Sequence, residues 1–164
     1  MNIASAEEPK KRRASVRRPA AVANAAGTDG QHARADERPF IIGIGASAGG
    51  LEALRMLLPG LPKNLGLSYV VVQHLSPTYR SMMSQLLGRE TTMPVRDIED
   101  GMSPEPNTVY ITPPNRNLTL TGGHFRLVEP ARESMPKPSV NRFFASLAEE
   151  IGESTIGIIL SGTG

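Results

Sequence analysis

The stretch FIIGIGASAGGLEAL, Phe40 to Leu54, decides the fold class, because it reads as a strand, a tight turn and a helix in succession. FIIGIG is a short apolar run with β-branched residues and a glycine stop, which is typical of a buried strand. From Gly49 onward leucines recur at helical spacing on one face, and Pro59-Gly60 ends that helix. A strand that passes into a helix through small residues indicates the first unit of an α/β protein.

The turn itself fits two kinds of chemistry. Gly43-x-Gly45-x-x-Ala48 matches the dinucleotide-binding fingerprint, and Gly45-x-Ser47-x-Gly49 matches a nucleophile elbow. In the first case the glycines would admit a pyrophosphate. In the second, the turn would present the serine hydroxyl at the top of the sheet. The same ten residues cannot serve both purposes.

The second predicted strand separates these two interpretations. A dinucleotide unit needs an Asp or Glu about 20 residues past the glycines to bind the ribose hydroxyls. No acidic residue lies between Glu52 and Glu90, and the strand SYVVVQHL ends in Gln73-His74 instead. The dinucleotide interpretation is therefore disfavoured. His74 is the only histidine at a predicted strand end, and a serine needs such a base to accept its proton.

The rest of the chain predicts an α/β fold, a doubly wound and mostly parallel sheet with a β-hairpin insertion. Ser76-Pro77 would start a helix that Gly88 closes, and Ser139 would cap another that Gly152 ends. The remaining strand-like runs are MPVRDI, NTVYITPP, the hairpin LTLTGGHFRLV around Gly122-Gly123, and the final STIGIILSGTG. We expect STIGIIL to be a buried strand that leads into another small-residue turn.

Charge divides the chain into two parts. Residues 1–38 carry 8 Lys/Arg against 5 Asp/Glu, whereas residues 39–164 carry 10 against 11. We therefore expect a disordered, basic, Ala-rich tail over 1–38 and a folded domain over 39–164 with no nucleic-acid footprint. No apolar run is long enough to span a membrane, so a cytoplasmic location is predicted. The absence of cysteine excludes thiolate catalysis and cysteine-zinc sites, and we expect no cofactor and no metal.

Ser47 and His74 each follow the carboxyl end of a predicted strand, so parallel strands would bring them to one rim of the sheet. We predict Ser47 as the nucleophile and His74 as its general base. The backbone N–H groups of Ala48 and Thr163, in the first and last small-residue turns, would stabilise the oxyanion. The simpler interpretation is that Ser47 only caps its helix and His74 is a buried, hydrogen-bonded histidine.

Six motifs together resemble one known family: IGIGASAGGLEAL, YVVVQHLSP, PVRDIEDGM, VYITPP, KPSVNRFFASLA and GIILSGTG. They are similar to those of the chemotaxis protein-glutamate methylesterases, the CheB family, over essentially all of Phe40 to Gly164. The resemblance implies that Ser47 attacks the methyl ester of a glutamate on a methyl-accepting chemoreceptor, and that His74 transfers the proton to departing methanol. It also implies deamidation of receptor glutamines, and fused or associated methyltransferase and sensor domains.

The sequence also departs from the family pattern. Ala48 stands where threonine is frequent, and Thr163 stands where many members have methionine. The triad aspartate of the family follows the SGTG-type turn by two residues, a position beyond Gly164. We therefore expect the domain to be incomplete at its C-terminal end and this chain to be poorly active on its own. Asp97 and Asp100 are interpreted as solvated turn acids rather than as substitutes.

Two further functions remain open at this point. A domain with the same fold could bind a receptor or signalling partner without turnover, as a regulatory or interaction module. A generic serine esterase acting on small esters would use the same Ser47 and His74. Labelling by an active-site fluorophosphonate separates the first alternative from an enzyme, because only an activated serine reacts.

Overall fold

The computed structural model of the protein describes residues 40–47, 49–73, 82–129 and 139–160. The strands and helices in these ranges follow in chain order: β1 Ile41–Ala46, α1 Gly50–Leu57, β2 Ser68–Gln73, α2 Met83–Leu87, β3 Val95–Asp97, β4 Thr108–Ile111, β5 Asn117–Thr121, β6 His124–Val128, α3 Val140–Ile151 and β7 Thr155–Ile159. The predicted start of the second helix at Ser76-Pro77 and the tail 1–38 lie outside the described residues.

Five of the strands form one sheet in the order β3-β4-β2-β1-β7, and every pair in it is parallel. β5 and β6 form a separate antiparallel hairpin. Gly122 and Gly123 turn it with φ of 58° and 75°, the left-handed backbone that two-residue hairpins favour. The predicted fold class, a mostly parallel α/β sheet with a hairpin insertion, is therefore confirmed.

Each face of the sheet is covered by its own set of elements. On one face, alternate side chains of β1, β2 and β4 pack against Leu54 and Leu58 from the end of α1 and against Met83 and Leu87 of α2. On the other face, the remaining side chains of these strands pack against α3 and the hairpin, through Phe143 among others. The sheet is thus doubly wound, and β1 and β2 are buried over their full length.

The ends of the helices follow the local sequence. Ser139 caps α3, since its Oγ accepts a hydrogen bond from the N–H of Arg142, and Gly152 ends the helix with φ of 49°. Gly88 is the C-terminal cap of α2, as predicted. Met82 does not join the apolar stripe of α2, because it precedes the helix and its side chain is 63% exposed.

The final strand differs from its prediction. β7 was expected to be buried, but Ile156 and Ile159 are 50% and 67% exposed. The physical reason is its place in the sheet. In the part of the chain that the structure describes, β7 pairs with β1 alone and its other edge carries no strand. The apolar composition of TIGII therefore predicted a strand correctly and its burial wrongly.

Candidate active site at the carboxyl edge of the sheet

Ser47 lies where the sequence places it, in the turn between β1 and α1. β1 runs between β2 and β7, so its carboxyl end has a neighbouring strand on each side. The Ser47 carbonyl accepts the N–H of Gly50 at 2.8 Å, which closes the turn immediately before the helix. Ser47 Oγ is itself buried and has no hydrogen-bond partner within the described residues. A helix cap would leave the hydroxyl bonded to a helix N–H, and α1 has no side-chain cap.

The end of β2 lies beside this turn. Gln73 is the register partner of Ala46, the last residue of β1. Its side chain is 3% exposed, and its Nε2 donates a hydrogen bond to the Ser47 carbonyl oxygen at 3.1 Å. The structure therefore brings β2 into direct contact with the residue that the sequence singled out.

The glycines of β1 are explained by packing against α3. A Cβ at Gly43 would lie 2.9 Å from Phe144 Cε1, and a Cβ at Gly45 would lie 2.5 Å from Val140 Cγ1. Glycine at these positions lets α3 approach the strand closely. Side chains of the protein already occupy the space above both glycines. The packing against α3 therefore explains why glycine is needed at these positions, and no bound pyrophosphate is required to account for it. This finding disfavours the dinucleotide interpretation further.

Gly50 has a related role on the opposite side of the turn. A Cβ added at Gly50 would clash with the Cβ of Ala46 and would lie 3.5 Å from Gln73 Nε2. The first residue of α1 is therefore pressed against the ends of both β1 and β2. Gly49 has no atom within 4 Å of its own Cβ position, so the two adjacent glycines are present for different reasons.

The three buried side-chain polar atoms that lack a hydrogen-bond partner in the described ranges all lie at the carboxyl edge of the sheet. They are Ser47 Oγ, Gln73 Oε1 and Thr112 Oγ1. They follow or end the three adjacent strands β1, β2 and β4. An unsatisfied buried polar atom is unusual in a native structure and calls for an explanation, of which a catalytic role is one. Sequence analysis gave Gln73 no role and did not single out Thr112, although each is a polar residue at the end of an apolar strand.

Three of the predicted site residues, His74, Ala48 and Thr163, lie outside the described residues. His124 is described and lies away from this edge, exposed beside the hairpin turn, with its Nδ1 2.7 Å from the Gly122 carbonyl oxygen. His74 comes directly after Gln73 in the chain.

Asp97 and Asp100 have structural partners on the surface. Asp97 accepts a hydrogen bond from Ser84 Oγ at 3.1 Å, and Asp100 accepts one from the N–H of Leu127 at 2.8 Å. Both are exposed, in keeping with their interpretation as solvated acids. No cluster of three or more potential metal ligands occurs among residues 40–47, 49–73, 82–129 and 139–160. In the same ranges no helix is long and apolar enough to cross a membrane.

Fold and site together define an α/β protein with a serine-bearing strand-to-helix turn at the carboxyl edge of a parallel sheet. Residues 42–164 match the family described as CheB methylesterase, and the chain belongs to that family. The catalytic domain of the Thermotoga maritima CheB methylesterase has a similar solved structure. The TM-score is 0.70 at 34% sequence identity, over 77% of this chain and 69% of that one.

Curated relatives point in the same direction. The chain is 33% identical over 129 residues to protein-glutamate methylesterase/protein-glutamine glutaminase 3 of Pseudomonas savastanoi pv. phaseolicola, which covers 77% of this chain and 38% of the relative. It is 35% identical over 136 residues to protein-glutamate methylesterase/protein-glutamine glutaminase 1 of Burkholderia lata, which covers 82% of this chain and 40% of the relative. The match thus spans about two fifths of the length of these relatives.

Proposed function

We propose that the protein acts as a serine carboxylic-ester hydrolase, a protein-glutamate methylesterase that also deamidates protein glutamines. Its membership of the CheB methylesterase family and the names of its relatives support this proposal. One observation carries it from the family to particular residues. Ser47 Oγ is buried without a partner in the described part of the chain, at the sheet edge where ligands of parallel α/β folds bind.

In the proposed reaction, Ser47 Oγ attacks the carbonyl carbon of a glutamate methyl ester while His74 accepts the hydroxyl proton. The tetrahedral oxyanion is stabilised by the N–H groups of Ala48 and Thr163. Its collapse breaks the bond to the methoxy oxygen, and His74 gives the proton to that oxygen, so methanol leaves. A water molecule then attacks the acyl-enzyme with His74 again as base, which yields free glutamate and regenerates Ser47.

The geometry at β2 supports His74 as the base. Gln73 is the register partner of Ala46, and in the sequence Ser47 and His74 come directly after these two residues. Adjacent parallel strands lie about 4.8 Å apart. The ends of β1 and β2 at Ala46 and Gln73 are therefore neighbours, and a histidine needs only hydrogen-bond reach to serve as base. The group that orients His74 is proposed to be an aspartate supplied by residues after Gly164 in a longer protein.

The proposed substrate is a methyl-accepting chemoreceptor, and the proposed setting is cytoplasmic signalling together with fused or associated methyltransferase and sensor domains. These assignments follow from the family alone. The division into a tail over 1–38 and a catalytic domain over 39–164 is part of the same proposal.

Methanol release from a methylated chemoreceptor tests the proposal, with the protein produced together with any residues that its gene encodes after Gly164. Ser47→Ala should abolish release because the nucleophile is removed. Ser103→Ala is the matched control. Ser103 is an exposed serine, and the hydrogen bond that it accepts from the Tyr110 hydroxyl is to its backbone carbonyl, which the substitution keeps. Equal methanol release by wild type and Ser47→Ala would contradict the proposal. Absence of release from wild type, with retained receptor binding, would favour a non-catalytic interaction domain. Hydrolysis of small esters alone would favour a generic esterase.

A further inference from the structure

The side chain of Gln73 is placed unusually for a core residue. It is the last residue of β2, and the five residues before it form an otherwise largely apolar buried strand. Its Nε2 donates to the Ser47 carbonyl, while its Oε1 is buried with no hydrogen-bond donor among the described residues. A buried acceptor left without a donor is energetically unfavourable. A methionine or leucine would fill a similar volume without that cost.

The bond to Ser47 is not needed to satisfy the Ser47 carbonyl. That oxygen already accepts the N–H of Gly50 at 2.8 Å, so the turn is hydrogen-bonded without Gln73. The second bond at 3.1 Å comes from a different strand and a different direction. Two donors on one carbonyl, one from the helix and one from β2, fix the plane of the peptide group rather than only its distance from the helix.

The orientation of that peptide group matters for the reaction proposed above. A peptide bond is planar and almost always trans, so the N–H of the next residue points opposite to the carbonyl. The peptide after Ser47 ends in the N–H of Ala48, the proposed oxyanion donor. The two hydrogen bonds to the Ser47 carbonyl therefore also hold the plane of the peptide group that follows Ser47. We propose that Gln73 is a positioning residue for the turn that carries Ser47, an inference that rests on the proposed esterase function.

Gly50 belongs to the same arrangement. Its missing side chain lets the start of α1 approach Ala46, and its Cβ position would be 3.5 Å from Gln73 Nε2. The missing side chain of Gly50 therefore leaves room for the Gln73 amide beside the start of α1.

Gln73→Met tests the proposal, because methionine has a similar length but no N–H donor. We expect kcat for methanol release to fall about 10- to 100-fold with KM unchanged, since a misplacement of about 1 Å costs up to 10²-fold in rate. The ¹³C resonance of the Ser47 carbonyl should move upfield as it loses one donor. Gln85→Met is the matched control, because Gln85 is exposed on α2 and should change neither quantity.

Gln73→Leu is a second variant, since it fills a similar volume and has no hydrogen-bond donor. A folded Gln73→Met or Gln73→Leu protein with wild-type kcat would overturn the proposal. So would loss of folding in both variants, which would make the role of Gln73 purely structural. If Ser47→Ala still abolishes methanol release in that case, only the role of Gln73 is wrong. If the wild-type protein releases no methanol, the proposed function fails, and the carbonyl shift alone decides whether Gln73 holds the peptide.

Discussion

β1 and β7 are neighbouring strands with similar sequences and different environments. β1 reads IIGIGA and is followed by serine, and β7 reads TIGII and is followed by leucine and serine. They pair in parallel with their Ile-Gly-Ile segments in register, Ile42 opposite Ile156 and Gly43 opposite Gly157. Yet Ile42 is 6% exposed and Ile156 is 50% exposed. The comparison shows that the position of a strand in the sheet, and not its composition, determines how deeply it is buried.

The shared glycine shows what the two strands have in common. A Cβ at Gly43 would lie 2.9 Å from Phe144, and a Cβ at Gly157 would lie 3.1 Å from the same ring. α3 therefore crosses both strands and requires a glycine in each. The two strands differ along the edge that faces away from the other strand. Along that edge β1 pairs with β2, whose last residue is Gln73. The turn after β1 receives a side-chain donor from β2, because Gln73 Nε2 donates to the Ser47 carbonyl oxygen.

The largest effect should come from truncating one isoleucine in each of the two strands, Ile44 in β1 and Ile156 in β7. Ile44 is fully buried in β1, so Ile44→Ala should lower the free energy of unfolding by about 2–5 kcal/mol, through lost burial and the cavity left behind. Ile156→Ala should cost at most about 1 kcal/mol, the range expected at a half-exposed strand position. Urea unfolding monitored by circular dichroism measures both.

If Ile44→Ala does not fold, Ile44→Val provides the measurable member of the pair, with an expected loss of about 0.5–1.5 kcal/mol. Equal losses for Ile44→Ala and Ile156→Ala would show that β7 is as buried as β1 in solution. That outcome would contradict the difference in burial between β1 and β7.

A smaller effect is expected in the serine turn. Gly50→Ala should lower the free energy of unfolding by about 1–3 kcal/mol, because the new Cβ meets the Cβ of Ala46, which is fixed to the backbone and cannot rotate away. Gly49→Ala is the matched control, since its Cβ would meet no atom within 4 Å. Thermal unfolding of the two variants checks this difference. Gly50→Ala with wild-type stability would mean that the turn is looser than described.

The smallest effect should be a decrease in the free energy of unfolding at alkaline pH that originates in the interior strands β2 and β4. Burial raises the pKa of Tyr69 in β2 and of Tyr110 in β4 above the ordinary value of 10.0. Unfolded tyrosines lose their protons first as pH rises, so the stabilising contribution is complete below about pH 10 and declines through the raised pKa values. β7 contains no titratable side chain and therefore makes no contribution of this kind.

Urea unfolding at increasing alkaline pH measures that decline, with the Tyr69→Phe/Tyr110→Phe double variant for comparison. The double variant should lose less stability than wild type as pH rises above 10. An identical pH dependence in the two proteins would show that these tyrosines ionise as readily in the folded state as in the unfolded one.

The sequence predicted those features that depend on local periodicity and on backbone chemistry. The apolar runs gave β1 and β2, the Gly122-Gly123 pair gave the hairpin, and Ser139 and Gly152 gave the limits of α3. The position of Ser47 at the carboxyl end of β1 also followed, because it depends only on the order of strand, turn and helix.

Other features depend on contacts between distant segments and could not be read from local patterns. The exposure of β7 follows from its edge position, which requires the strand order of the whole sheet. The contact from Gln73 to Ser47 joins residues 26 positions apart and depends on the register of β1 and β2. The packing of Val140 over Gly45 depends likewise on the path of α3 across the sheet.

The proposed esterase function requires Ser47, in the turn after β1, to be an activated nucleophile. Fluorophosphonate labelling followed by peptide mass spectrometry tests it most directly, on the protein with any residues encoded after Gly164 and on its Ser47→Ala variant. The account predicts one modified residue, Ser47, and no labelling of the variant, because a serine reacts only when a base accepts its proton. An unlabelled wild-type protein that is folded, or a label on another serine, would contradict the account.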